Sequence, residues 1–399
     1  MRAAKKDAKK ESAPPPTPAP TPSFASNREH LNAMSAIASK CSSWKPAIEV
    51  LKPVKAVPTI FPQLDGITRV GGWPIERFGL VHGKSNEGKS SLCHGLGLSF
   101  LQRGHFYLYV DAEYTTPEEW LQSIMAGFST HPGFSALRPK TYEQTVDAVR
   151  EFCEALATAK DKGLIAADTS GLIVVDSLRK LVPKKLMAAI SKGVEDEEQA
   201  GPRKGKSRGV DGIGGRAGQL KAAMNAAWLD ELVPLLAASG VGMIAVAREA
   251  EDPDAGMFDE GFKVGGGTAV YYDSSIVARV CRDRYLREGT EDKTKIIGER
   301  HVVEIRKTKI GGKTEKKPKA FFHTSNGAYF KVGFCRAMDV LEAATDENIV
   351  EVRGSWYVYN GANLGQGLNP SAKKLEDDPA LLEEIEKKVR ASFESQSAE

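Results

Sequence analysis

Long apolar runs are missing from this 399-residue sequence: none approaches the roughly 18 residues that a membrane-spanning helix needs. A membrane partner is therefore not expected, and the lysine-rich start, with no apolar stretch behind it, does not read as a secretory signal. Cysteine is scarce as well. The five, at positions 41, 93, 153, 281 and 335, have neither metal-site spacing nor the density of a disulfide scaffold, so buried or incidental thiols in a cytosolic protein are expected. Nor is there a large excess of charge: a net +3 is too small to indicate a nucleic-acid partner, and only local charge distribution can do that. What is present, 41% hydrophobic residues over a length suited to two or three domains, is enough for a sizeable core.

The most specific stretch is Gly83-Lys84-Ser85-Asn86-Glu87-Gly88-Lys89-Ser90, followed by Ser91. Two glycines with four residues between them, then lysine and a hydroxyl, fit the phosphate-loop pattern. The flanks agree: Phe78-Gly79-Leu80-Val81 reads as a buried strand, and Ser91 to Leu101 has apolar residues at helical spacing. In that order, backbone N–H groups and the helix dipole hold phosphate oxygens, Lys89 supplies charge at the β/γ-phosphates, and Ser90 offers a hydroxyl to Mg²⁺.

Two further strands end in carboxylates. Phe106 to Val110 leads to Asp111-Ala112-Glu113, and Leu172 to Val175 leads to Asp176-Ser177. A carboxylate at the carboxyl end of a strand in such a sheet lies on the ligand side, which suits Glu113 to orient or deprotonate a water and Asp176 to hold the Mg²⁺ shell.

Elsewhere the chain is less committal. Residues 1–26 combine Lys5, Lys6, Lys9 and Lys10 with six prolines and read as a disordered basic tail, either an anion-binding arm or a mere tether. Residues 27–44 carry Leu31, Met34, Ile37 and Ala38 at helical spacing, for docking on a neighbour or folding back on their own domain. Residues 185–221 read as a long mobile loop whose basic tip contains Arg203, Lys204, Lys206 and Arg208; it suits a phosphodiester backbone or simple solvation. Helix resumes over 222–236 and a strand over 241–247. A second loop over 248–267 holds Met257-Phe258, Lys263, Gly266 and Gly267; its apolar pair could wedge between bases or pack locally. Strands follow at 275–282 and 302–305, the latter running into Lys307 and Lys309, two cations on one strand face that could clamp a phosphoryl group. Residues 334–393 look like a small α+β module, with an aromatic piece at Trp356 to Tyr359 and a charged helix from Pro379 to Ser392.

Together these residues resemble the bacterial RecA recombinase family, from about Asn27 to Ser392. The phosphate loop, Asp111-Ala112-Glu113, Val174-Val175-Asp176-Ser177 with Val182-Pro183-Lys184, and the run from Gly354-Ser355-Trp356-Tyr357 through Gly365-Gln366-Gly367 to Glu383–Arg390 carry the resemblance. It implies an α/β fold: a phosphate-loop ATPase core over 56–333 with a mostly parallel central sheet, an N-terminal polymerisation helix and linker over 27–55, and a small α+β C-terminal domain over 334–393, before a tail of 394–399. It implies ATP and Mg²⁺ as cofactors and a helical homo-oligomeric filament on single-stranded DNA that pairs with double-stranded DNA. By position, Glu113 takes the water-activating role, Lys307 and Lys309 reach across the subunit interface to the γ-phosphate, Trp120 stacks on adenine, and the segments 185–221 and 248–267 are the two DNA-binding loops.

The chain departs from that pattern in places. Where the family has a glutamine linking the γ-phosphate to the second loop, this sequence has Arg248, which either contacts a phosphate or pairs with Glu249 or Glu251. The second loop is also acidic, with Glu249, Glu251, Asp252, Asp254, Asp259 and Glu260, and the acidic C-terminal tail common in the family is essentially absent. A DNA strand-exchange ATPase is the first reading. A regulatory or structural DNA-binding filament with uncoupled hydrolysis is the alternative.

Overall fold

A computed structural model describes residue 40 and residues 53–188, 208–251, 261–288, 294–311, 318–327 and 329–398, with the backbone alone described at 208–217, 251 and 396–398. The N-terminal tail, almost all of the expected polymerisation helix, the basic tip at 203–206 and the Met257-Phe258 pair lie outside the described residues.

From Val54 onward the chain forms one compact unit. Strands β1 (Ala56–Val57) and β2 (Trp73–Pro74) pair antiparallel around helix α1 (Pro62–Thr68). The core then runs β3 (Phe78–Gly83), α2 (Lys89–Gln102), β4 (Phe106–Asp111), α3 (Glu118–Ile124), β5 (Phe134–Leu137), α4 (Tyr142–Asp161), β6 (Gly171–Asp176), α5 (Arg208–Ser239), β7 (Val241–Glu251), β8 (Phe262–Val264), α6 (Thr268–Asp273), β9 (Ile276–Glu288), β10 (Lys295–Thr308), β11 (Lys319–Ser325) and β12 (Gly333–Phe334). The C-terminal module comprises α7 (Arg336–Asp346), an antiparallel sheet of β13 (Glu351–Arg353), β14 (Trp356–Tyr359) and β15 (Ala362–Gln366), then α8 (Leu368–Asp377) and α9 (Pro379–Ala398).

The central sheet has the order β12-β11-β10-β9-β3-β7-β6-β4-β5. Every pairing from β9 to β5 is parallel; those from β9 to β12 are antiparallel. The parallel strands are apolar on both faces because each face is covered. Tyr107 and Tyr109 of β4, with Leu172 and Val174 of β6, enter the same core as α2, whereas Leu108, Val110, Ile173 and Val175 enter the core that holds Trp228 and Leu232 of α5. Alternate residues of one run thus serve two cores. Helix α4 starts on Thr141, whose side chain accepts from Gln144 N, while the Gln144 amide oxygen accepts from Lys140 N.

Two boundaries differ from the sequence expectation. Helix α5 begins at Arg208, so the second half of the expected 185–221 loop is helical despite its glycines. Strands β9 and β10 run well past 282 and begin well before 302, because their outer halves alternate charge rather than hydrophobicity, with Arg282 on Glu299 and Arg300 on Asp283. Among the described residues no helix is long and apolar enough to cross a membrane.

Buried polar contacts fasten the C-terminal module to the core. Asp65 of α1 accepts from Thr59 N at 2.8 and 3.0 Å and from Arg390 of α9 at 2.5 Å. His323 of β11 meets Asp339 of α7 at 2.7 Å, and Gln63 donates to Asp346 at 2.7 Å. Burial pushes the Asp65 carboxyl up to about 7, against the pull of Arg390 and Thr59. Arg390→Ala should therefore lower stability by about 3–5 kcal/mol, the usual result of removing one partner of a buried pair. The deficit should shrink as pH falls toward 7 and change little below it, since Asp65 without Arg390 takes up its proton at a higher pH than in wild type, and below about 7 both folded states hold that proton. Urea denaturation of the variant at pH 8 and pH 5.5 measures both effects, and a deficit that does not narrow at the lower pH removes Asp65 as its source.

Candidate functional site: a phosphate cradle at the strand ends

The carboxyl ends of β3, β7, β6 and β4 lie side by side: Asp176 pairs with both Val246 and Asp111, and Gly83 pairs with Arg248, two residues farther along β7. Apart from Lys307 and Lys309, every side chain expected at the phosphates leaves one of these ends, the turn after it or the loop that follows β3. The loop's glycines are required by space. A Cβ on Gly83 would stand 2.2 Å from Val280 O, and one on Gly88, at φ 89°, 2.5 Å from His301 Nδ1. Gly88 is also the N-cap of α2, with no side-chain cap and no acidic residue in the first turn. The first-turn N–H groups of Lys89, Ser90 and Ser91 therefore remain for an anion.

Lys89 is nearly buried and its Nζ donates to Lys84 O at 2.5 Å, folding back over the loop. Burial lowers its pKa, and the nearby Asp176 carboxylate opposes that shift. Ser90 Oγ donates to Asp176 Oδ2 at 2.6 Å. Burial raises the Asp176 pKa while that hydrogen bond lowers it. The hydroxyl and carboxylate are hard oxygen donors side by side, the set that suits Mg²⁺, which takes few protein ligands and completes its shell with water and phosphate. Among the described residues no cluster of three or more His, Cys, Asp or Glu exists that would suit a softer or fully protein-ligated ion.

Glu113 is held from two sides. Ser177 Oγ donates to it at 2.9 Å and Arg248 Nη2 at 2.7 Å. Burial would raise its pKa, but these two donors outweigh burial and hold it below the usual glutamate value. Arg248 thus pairs with Glu113 rather than with Glu249, and the Glu251 side chain lies outside the described residues. Glu249 turns to the opposite face, where its buried carboxylate meets His82 at 2.9 Å and Arg279 at 2.7 Å, a network held at about 2 in pKa against burial. It is therefore not part of an exposed acidic loop, a distinction invisible in composition. Ser177 and Arg279 were missed by sequence reasoning. Only the position of Ser177, directly after a strand-end carboxylate, offered a signal.

Ser85, Lys89, Ser90, Glu113, Asp176 and Arg248 line one cavity of about 230 Å³. A larger one of about 640 Å³ adjoins it along Asn86–Ser91, walled by Trp120, Ile296, His301 and Asn326. Trp120 of α3 sits edge-on to His94 at 5.4 Å and presents an aromatic wall of the size a nucleobase needs.

Lys307 and Lys309 line neither cavity. Their Nζ atoms converge on α6, Lys307 donating to Tyr271 O and Tyr272 O and Lys309 to Tyr272 O, at 2.6–2.8 Å. The pair is not simply i and i+2 on one strand face: the register shifts between Ile305 and Lys307, and β10 ends at Thr308. Of the residues expected at DNA, Lys263 lies in β8, which pairs antiparallel with β7, and Gly266 and Gly267 lead into α6. These two arms are strand rather than loop. Arg208 opens α5. Arg203, Lys204, Lys206, Met257 and Phe258 are outside the described residues.

Residues 338–394 match the family described as the RecA C-terminal domain. The chain is 25% identical over 340 residues to Protein RecA of Acholeplasma laidlawii (strain PG-8A), covering 85% of this chain and 88% of that one. Protein RecA of Aquifex pyrophilus is 26% identical over 344 residues, covering 86% and 84%, and that of Frankia casuarinae 25% over 339 residues, covering 85% and 84%.

Replacing Gly88 with alanine should both strain the loop, by about 1–3 kcal/mol for a side chain at positive φ, and close the cradle against His301. The expected outcome is loss of Mg²⁺-nucleotide binding by calorimetry with the far-ultraviolet circular dichroism retained. Undiminished binding would mean that phosphate does not sit at this loop.

Proposed function

The chain is a divergent member of the RecA family, and on that premise we propose that it is an ATP-dependent DNA recombinase. It assembles as a filament on single-stranded DNA, aligns that strand with duplex DNA and exchanges strands, hydrolysing ATP faster when DNA is bound. The observation that carries the reading is the convergence of Lys89, the Ser90–Asp176 pair and Glu113 on one small cavity, next to a larger one with an aromatic wall. Similarity along most of the chain, including the C-terminal module, supports a recombinase over an unrelated phosphate-loop motor.

In this reading the α2 N–H groups and Lys89 bind the phosphates, and Ser90 and Asp176 hold Mg²⁺. That ion, when bound, neutralises charge developing on the phosphate oxygens. Glu113 orients the attacking water and accepts its proton. Its lowered pKa keeps it ionised at neutral pH but also makes it a weaker base, so its hold by Arg248 bears on the rate. Lys307 and Lys309 exchange the α6 carbonyls for the γ-phosphate of a neighbouring protomer's nucleotide, an exchange that charge favours. The cellular setting is the cytoplasm. The Arg248–Glu113 pair also favours a second reading, a DNA-binding filament in which hydrolysis is slow and strand exchange is lost.

ATP turnover with and without single-stranded DNA, at two salt concentrations, tests the proposal. Turnover should rise with DNA, and the rise should weaken at higher salt because phosphate contacts release counterions. Glu113→Gln should bind nucleotide yet turn over at least about 10²-fold more slowly. Lys307→Ala should lose the DNA-stimulated rate alone. DNA binding without stimulation would transfer the lead to the second reading, and no nucleotide-dependent DNA complex at all would sink both.

A further inference from the structure

We infer that Arg248 withholds the Glu113 carboxylate until a nucleoside triphosphate arrives, and that the γ-phosphate releases it by taking the guanidinium for itself. The inference rests on the nucleotide-site reading above and adds an exchange of partners inside the cavity. Strand order places Arg248 for it. In the sequence β3-β7-β6-β4, the side chain of Arg248 leaves β7, crosses the end of β6 above Asp176, and reaches Glu113 beyond β4 at 2.7 Å. It lines the same small cavity as Ser85, Lys89 and Ser90 of the phosphate loop. Its guanidinium therefore lies on the carboxylate and in the cavity that the phosphate loop also lines.

What can move is the side chain. The Arg248 backbone is paired with Gly83 of β3, and the next residue, Glu249, is locked on the far face by His82 and Arg279. The Arg248 side chain, by contrast, is 39% exposed, and the carboxylate it holds is 12% exposed. Glu113 would not be left unpartnered by its departure, because Ser177 Oγ keeps its own hydrogen bond at 2.9 Å. A guanidinium fork also suits a phosphate at least as well as a carboxylate, and a phosphate brings more negative charge. The other cation of the cavity, Lys89, is folded onto Lys84 O, so of the two it is the exchange by Arg248 that frees Glu113. A neutral glutamine at this position could donate to either group, but without the charge and the fork that hold a carboxylate firmly.

Two consequences are specific. A diphosphate leaves Arg248 on Glu113, so the exchange discriminates triphosphate from diphosphate. And Glu113 competes with the γ-phosphate for one group, so neutralising Glu113 should tighten triphosphate binding only while Arg248 is present.

Calorimetry on the full-length chain with Mg²⁺, using ADP and a non-hydrolysable ATP analogue, tests this for wild type, Glu113→Gln, Arg248→Ala and the double variant. Arg248→Ala should weaken the analogue by roughly ten- to hundredfold, the range of a charge-assisted contact, with ADP nearly unchanged. Glu113→Gln should tighten the analogue by roughly tenfold, and that gain should vanish in the double variant, which is the coupling a double-mutant cycle isolates. Simple repulsion between Glu113 and phosphate predicts the opposite, a gain as large or larger without Arg248, and that result would overturn the inference, as would equal losses for both nucleotides. If Arg248→Ala does not fold, Arg248→Lys replaces it, keeping charge while losing the fork. Failure of wild type to bind either nucleotide would instead refute the nucleotide-site reading and take this inference with it.

Discussion

A parallel sheet buried on both faces leaves its strands one place for polar chemistry, their carboxyl ends, and the rest of this molecule follows from that constraint. The strands β3, β4, β6 and β7 are apolar until their carboxyl ends, where Asp111 and Asp176 emerge in register and Gly83 and Arg248 follow two residues farther along. Neighbouring loops therefore deliver charges that lie far apart in sequence, Glu113 and Arg248 among them, to within hydrogen-bond distance. Burying such groups costs solvation, and each is compensated by a partner: Ser90 donates to Asp176, Ser177 and Arg248 donate to Glu113, and Lys84 O accepts from Lys89. The cavity is poised because nearly every member already has a partner it can trade.

The same logic separates two adjacent residues of β7. Arg248 and Glu249 differ by one position and hence by one face of the sheet. One is half-exposed in the cavity. The other is sealed between His82 and Arg279, beneath Phe262 of β8, whose ring lies 4.8 Å from the Arg279 guanidinium. The hairpin arm of β7 and β8 is thus fastened to the core by a buried charge cluster, and the neighbouring cavity cannot borrow flexibility from it. That division explains why the partner exchange inferred for Arg248 belongs to a side chain and not to a moving strand.

Much of this was legible in the sequence. The phosphate loop declared itself because its chemistry requires glycines where Val280 and His301 approach, and the strand-end carboxylates because apolar runs stop at them. The parallel core followed from the family resemblance that these motifs carry, and the small C-terminal module from its own mixture of short helical and aromatic segments. What was not legible depended on pairing across the sheet. Arg248 was read against its sequence neighbours, whereas its partner is 135 residues away. Glu249 counted as loop charge until burial removed it from that account. The outer halves of β9 and β10 escaped because charged alternation carries no hydrophobic signal, and α5 began early because helix formation there overrode several glycines.

Helix α6 shows how closely the proposed functions are packed. Its first residue follows Gly267, at the end of the β8 arm, where Asn225 of α5 holds Gly266 O at 2.8 Å. Its last turn presents the Tyr271 and Tyr272 carbonyls that Lys307 and Lys309 occupy. Six residues, about 9 Å at helical rise, therefore separate the closing glycines of the segment proposed to meet DNA from the lysines proposed to meet a neighbour's phosphate. A helix this short is tied at both ends by hydrogen bonds, to Asn225 before its start and to Lys307 and Lys309 at its last turn. The two proposed contacts thus lie at opposite ends of one short helix, not across the core.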